Sequence, residues 1–262
     1  MSGKKWVLLV AGSKGWENYK HQANVCCHYQ LIKRHRIPDE QIMTMMYDDI
    51  TDNQKNPQKG TILSVLEQPK NVYEGVLKDY TGKDVTPENF LNALQGKFTG
   101  KKVINSCEDD NIYIYMTGLG TDTTFEFPEE SLHASEFIAA IQNMTDKNKF
   151  SKIIIFVDSS YSANLFKNQL TDNEKVFVLT SCSEDTEITP TDYNKERDVF
   201  ISDKFSSTWF QFLDKVDYDT HTFHDLIHNN QSKYMKDDSD PCPCCFGKLD
   251  VKKHYLSEFL QK

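Results

Sequence analysis

Two uninterrupted apolar runs, Asn111-Ile-Tyr-Ile-Tyr-Met-Thr117 and Lys152-Ile-Ile-Ile-Phe-Val-Asp158, constrain the fold more than any other feature of the chain. Runs of this length without polar alternation read as strands buried on both faces. Residues 6–10, 41–47 and 175–180 supply three more. Helix signals fall between them. Val25, Tyr29 and Ile32 recur at helical spacing and predict a helix to about Arg34, broken by Ile37-Pro38-Asp39. Thr86-Pro87-Glu88 reads as the N-cap, first-turn proline and acidic first turn of a helix ending near Gln95. Phe137, Ile138, Ile141 and Met144 mark another buried helix face, and helices are predicted at 203–213 and 222–229. Strands alternating with helices give an α/β chain with a mostly parallel sheet covered on both faces.

At 262 residues the chain suits one large domain, 1–262. Residues 124–127 predict a short hairpin arm stopped by Pro128, and 255–260 a short amphipathic end. The polar stretch 51–84, punctuated by Pro57, Gly60, Pro69, Gly75 and Gly82, is too long to be an idle loop in a compact domain.

Catalytic groups and ligands of such sheets gather at the carboxyl ends of the strands. Here those ends read Ala11-Gly-Ser-Lys-Gly15, Gly118-Leu119-Gly120 and Asp158-Ser159-Ser160. The wording at these ends resembles the legumain (asparaginyl endopeptidase) family of cysteine peptidases. So does that of Ile37-Pro-Asp-Glu-Gln-Ile42, Met45-Met-Tyr-Asp-Asp-Ile50 and the stretch from Gly75 to Phe90, so that the resemblance covers nearly the whole chain. It implies a caspase-like three-layer sandwich. The family carries Asp-His-Gly where this chain has Gly118-Leu119-Gly120, and Glu-Ala-Cys-Glu-Ser-Gly-Ser where it has Val157-Asp-Ser-Ser-Tyr-Ser-Ala163. The family's base therefore falls on Leu119, its nucleophile on Ser159, and the residue that orients its base on Asn18. Leucine carries no proton, and a serine hydroxyl is a poor nucleophile without an adjacent base.

The resemblance places the family's asparagine pocket on Lys20, Val157 and Asp203. Lysine lacks the planar fork of the family's arginine, and Val157 removes an acceptor. The expected protein is a pseudoenzyme with no catalytic residue. Asn18 and Asp203 have alternative roles as helix caps. His21 has one as a structural hydrogen-bonding residue, or as the base of a hydrolase that uses Ser159.

A net charge of −9 argues against a nucleic-acid partner. The cysteines, at 26, 27, 107, 182, 242, 244 and 245, are odd in number and partly adjacent, so free thiols in a reducing compartment are expected. Cys242-Pro-Cys-Cys245 with the distant His254 is a weak match to zinc spacing, and neither Asp48-Asp49 nor the acidic 237–240 stretch has that of a calcium loop. No metal or cofactor is expected. The sequons at Asn143 and Asn230 matter only in a secreted chain.

No apolar run is long enough to span a bilayer, the N-terminus enters its first strand without a signal-like segment, and the family's C-terminal prodomain is missing. On these features the chain is expected inside the cell, in the cytoplasm unless a signal has been removed. The expected role is a scaffold or subunit in an assembly with other protein subunits, contacted through 51–84 and 236–250. A peptide-binding decoy that keeps the substrate groove, and a hydrolase working through Ser159, are the competing readings.

Overall fold

The computed structural model describes residues 3–68, 70–167, 169–170, 173–234 and 243–262. In chain order the first half contains β1 (Lys5–Ala11), α1 (Tyr19–Arg34), β2 (Ile42–Met45), α2 (Pro87–Leu94), β3 (Asn111–Thr117), β4 (Thr124–Glu126) and β5 (Ser131–His133). Then come α3 (Ala134–Asp146), β6 (Lys152–Asp158), β7 (Val176–Thr180), β8 (Pro190–Asn194) and β9 (Val199–Asp203). The chain closes with α4 (Lys204–Leu213), α5 (Phe223–Tyr234), β10 (Cys244–Gly247) and α6 (Ser257–Leu260).

The five expected strands share one six-stranded sheet in the order β10-β7-β6-β3-β1-β2. All neighbours are parallel except the β10–β7 pair, which is antiparallel. β1, β3 and β6 are buried from their second residue onward because helices cover both faces. Alternation along each strand sends side chains to two separate cores. One packs Val7, Leu9, Tyr113, Tyr115 and Phe156 against α1, α4 and α5. The other packs Leu8, Val10, Ile114, Ile155 and Val157 against α2, α3 and the β4–β5 hairpin. The result is the three-layer sandwich.

Three segments differ from expectation. The Cys-rich tail carried no strand signal, yet residues 244–247 extend the sheet, Phe246 packing beside Phe166. Cys242, the 237–240 acidic stretch and the first half of the 236–250 contact segment lie outside the described residues. The β8–β9 hairpin had no strand signal because β8 (Pro-Thr-Asp-Tyr-Asn) is polar and largely exposed. Residues 51–84 are part of the core: Ile62, Leu66, Val72 and Val76 are buried against the α1 layer. Further along, Tyr80 continues the sheet edge by pairing with Met45. Among the described residues, no helix is long and apolar enough to cross a membrane.

Candidate functional site at the strand ends

The turn after β1 is pinned by side chains from elsewhere. Gly15 N–H donates to Asp49 Oδ2 (2.8 Å), and Gln22 Nε2 donates to Asp49 Oδ1 (2.7 Å). Asn18 occupies the N-cap position of α1, but its side chain accepts no capping bond; its amide donates to the Lys14 carbonyl (2.9 Å). The cap expectation fails because a 3-10 turn over Trp16–Asn18 leads into the helix. Its carbonyls already take early donors, the Tyr19 N–H bonding to Trp16 O.

Leu119 and Ser159 follow β3 and β6, neighbouring strands paired at Thr117↔Asp158. Leu119 is 45% exposed. Ser159 is fully buried, and its hydroxyl has no hydrogen-bond partner among the described residues. Cys182 abuts the segment beyond Ser159, its N–H reaching Ser162 Oγ (3.3 Å). Burial pushes its thiol up to about 12, far from the thiolate a nucleophile needs.

The pocket residues have a different arrangement from the one the sequence suggested. Lys20 Nζ lies 2.5 Å from Asp203 Oδ1, the two side chains being 9% and 1% exposed. Asp203 precedes α4 without capping it, since its carboxylate turns inward to that ammonium. Val157 packs in the opposite layer with α2 and α3. The next residue, Asp158, points the other way, as strand alternation demands. It accepts a hydrogen bond from Ser206, whose hydroxyl in turn pairs with Tyr115 OH (2.6 Å). The acid that faces the Lys20–Asp203 pair on β6 is therefore Asp158, and the side chain at 157 lies on the other side of the sheet. Motif matching assigns Asp158 no role; the period-two geometry of a strand is the signal that singles it out.

Burial pushes the Asp203 carboxyl up to about 7, the Lys20 charge acting in the opposite sense. Asp158 is raised for the same reason, with the hydrogen bond from Ser206 pulling back. His21 is fully buried, its Nδ1 2.7 Å from Ser13 Oγ and its Nε2 4.0 Å from Asp203 Oδ2. Burial, reinforced by the Lys20 charge, holds it well below the ordinary imidazole range, so it is neutral. This is the structural role, and neither ring nitrogen bonds Ser159. Thr117 Oγ1, Asp158 Oδ1, Asp203 Oδ2 and His21 Nε2 are all buried without a hydrogen-bond partner among the described residues.

Among the described residues no group of three His, Cys, Asp or Glu side chains could hold a metal. Among the described residues, cysteines 26, 27, 107 and 182 are free. The two sequons differ: Asn230 is 1% exposed and donates its amide to Phe205 O, whereas Asn143 is half-buried and bonds Gln95.

A family model described as the Peptidase C13 family matches residues 5–262. Legumain from Rattus norvegicus is 38% identical over 233 residues, 86% of this chain and 53% of the rat protein. Legumain from Homo sapiens is 38% identical over 232 residues, again 86% of this chain and 53% of that protein. Hemoglobinase from Schistosoma mansoni is 34% identical over 259 residues, 97% of this chain and 59% of its own. The chain therefore spans little more than half the length of these relatives. Among solved structures, caspase-1 from Spodoptera frugiperda covers 100% of this chain and 92% of its own, with a TM-score of 0.55 and 7% identity. That likeness establishes a caspase-like fold and carries nothing about activity.

Proposed function

This chain belongs to the peptidase C13 family, and we propose that it is a member without catalysis, acting by contact as a scaffold or subunit of a larger protein assembly. The observation that carries this reading is the state of Ser159. Nucleophilic catalysis requires a base within hydrogen-bond reach of the attacking atom, and this hydroxyl is buried with no hydrogen-bond partner among the described residues. The residue matched to the family's base is the half-exposed aliphatic Leu119. Members of a catalytic unit act together, so losing either one costs orders of magnitude.

The pocket remnant weighs against the decoy reading. Lys20 and Asp203, the two polar groups a bound side chain would engage, are engaged with each other in a site closed to solvent. The serine-hydrolase reading has no observation in its favour.

The test has two arms. Purified protein is assayed on Asn- and Asp-containing peptides and with a fluorophosphonate probe; turnover or labelling abolished by Ser159→Ala sinks the reading. Native complexes are then captured and resolved by size. Deleting 51–84 would remove core residues, so the contact surface is probed by charge reversal at the exposed Lys55. A chain that runs alone in native lysate contradicts the subunit role.

A further inference from the structure

Beneath the strand ends, three charged side chains from three parts of the chain share one enclosure. Lys20 comes from the first turn of α1, Asp158 from the end of β6, and Asp203 from the junction of β9 and α4. The groups around them are Tyr115 and Thr117 on β3, Ser181 and Cys182 after β7, Ser206 on α4, and the neutral His21. The enclosure holds one ammonium for two carboxylates, each carboxylate-bearing residue 1% exposed or less. With both acids ionised it carries a net negative charge away from water, which is costly. One proton cancels it, and the unpartnered Asp158 Oδ1 and Asp203 Oδ2 are the atoms left to receive it.

Asp203 is also the root of the β8–β9 hairpin. The hairpin's other ties are Ser202 Oγ to Asn24 (2.8 Å), Trp16 Nε1 to Arg197 O (3.0 Å), Ser207 Oγ to Asp192 (3.1 Å), the buried Arg197 to Gln58 and Thr61, and Val199 and Ile201 packed in the α1-side core. Its outer face carries the exposed pair Tyr193 and Phe200, 5.3 Å apart edge to face. We propose that Lys20, Asp158 and Asp203 form a proton-operated latch: with one proton bound they hold α1, β6 and the hairpin root together, and losing that proton loosens the hairpin. The upward shift of both carboxyls agrees with this charge count. Occupancy of the latch then sets how firmly the Tyr193–Phe200 face is presented. The proposal is independent of whether the chain is catalytic.

Hydrogen exchange on the full chain tests it, with intrinsic rates corrected for pH. Protection across 190–203 is expected to fall roughly tenfold between about pH 5.5 and about pH 8.5, while β3 and β6 keep theirs. Asp158→Asn leaves one cation for one acid and should hold protection at both values. Unchanged protection in the unmodified chain, or an equal loss in the variant, overturns the latch. If that variant does not fold, carbon-13 carboxyl titration of the unmodified protein decides. One aspartate titrating around neutrality supports the proposal, and all aspartates titrating below about pH 5 refutes it.

Discussion

Gly120 packs so closely on Ser159 that a β-carbon at 120 would lie 3.1 Å from the serine hydroxyl and 2.3 Å from the Ser160 carbonyl. A backbone oxygen cannot swing aside as a side chain does, so the strand ends of β3 and β6 are fitted to glycine here. Gly120→Ala is expected to cost about 1–3 kcal/mol through overpacking. Urea unfolding measures it, and a neutral result would show that the 118–120 turn moves freely.

Restoring the family's chemistry at two positions should not restore its activity. In the double variant Leu119→His, Ser159→Cys the pocket still has Lys20 in place of an arginine, paired with Asp203 away from solvent. Binding and chemistry are separate contributions to rate. The expected outcome is turnover of Asn-peptides far below that of a family peptidase, read as kcat/KM. Full activity would show that the pocket is intact.

Lys20→Met leaves two buried carboxylates without a cation. Breaking a buried pair in this way costs about 3–5 kcal/mol, and that cost should be largest in alkaline solution, where Asp203 is ionised. In mild acid Asp203 takes up a proton and the penalty shrinks. Melting temperatures of variant and parent across the pH range check both the size and the trend.

The pH dependence of stability should be shallow because buried groups oppose one another. Asp203 rises from 3.8 to about 7 on folding, so the stability it contributes is present in acid and lost as pH climbs through about 7. Asp158 acts in the same direction. His28, buried and lowered from 6.5 to about 3, contributes stability above its unfolded value that is lost as pH falls toward 3. His21 behaves likewise. Over the overlap, roughly pH 4 to 6.5, the slopes have opposite signs. Asp158→Asn with Asp203→Asn should uncover the histidine slope, seen as a urea midpoint that drops on acidification. A midpoint as flat as the parent's would show that the histidines do not titrate.

The five parallel strands were legible because burial on both faces leaves unbroken apolar runs, and Thr86-Pro87 announced α2 by its capping chemistry; Thr86 Oγ1 does accept from Asn89 N–H (3.1 Å). The hairpin at 190–203 was not, because β8 is polar and largely exposed and only Val199 and Ile201 of β9 reach the core, too short a pattern to read as a strand. Among the pocket positions, Lys20 and Asp203 could be placed by motif, but their mutual pairing spans 183 residues of sequence and leaves no local mark. Asp158 was hidden for another reason. Matching position by position records an acid lost at 157, while the strand's two-residue period turns the neighbouring acid toward the same cluster.

The 51–84 segment has its shape written into it by distant side chains. Tyr19 OH accepts from Leu63 N–H (2.6 Å), Gln30 Nε2 donates to the Val72 and Glu74 carbonyls (both 2.8 Å), and Arg197 reaches Gln58 and Thr61. Asn56 binds three carbonyls of its own segment. Each bond fixes a position along the chain, so one inserted or deleted residue would put several out of step at once. Irregular backbone of this kind has little freedom to drift in length, and in an engineered chimera it would have to travel together with α1 and the Arg197 turn.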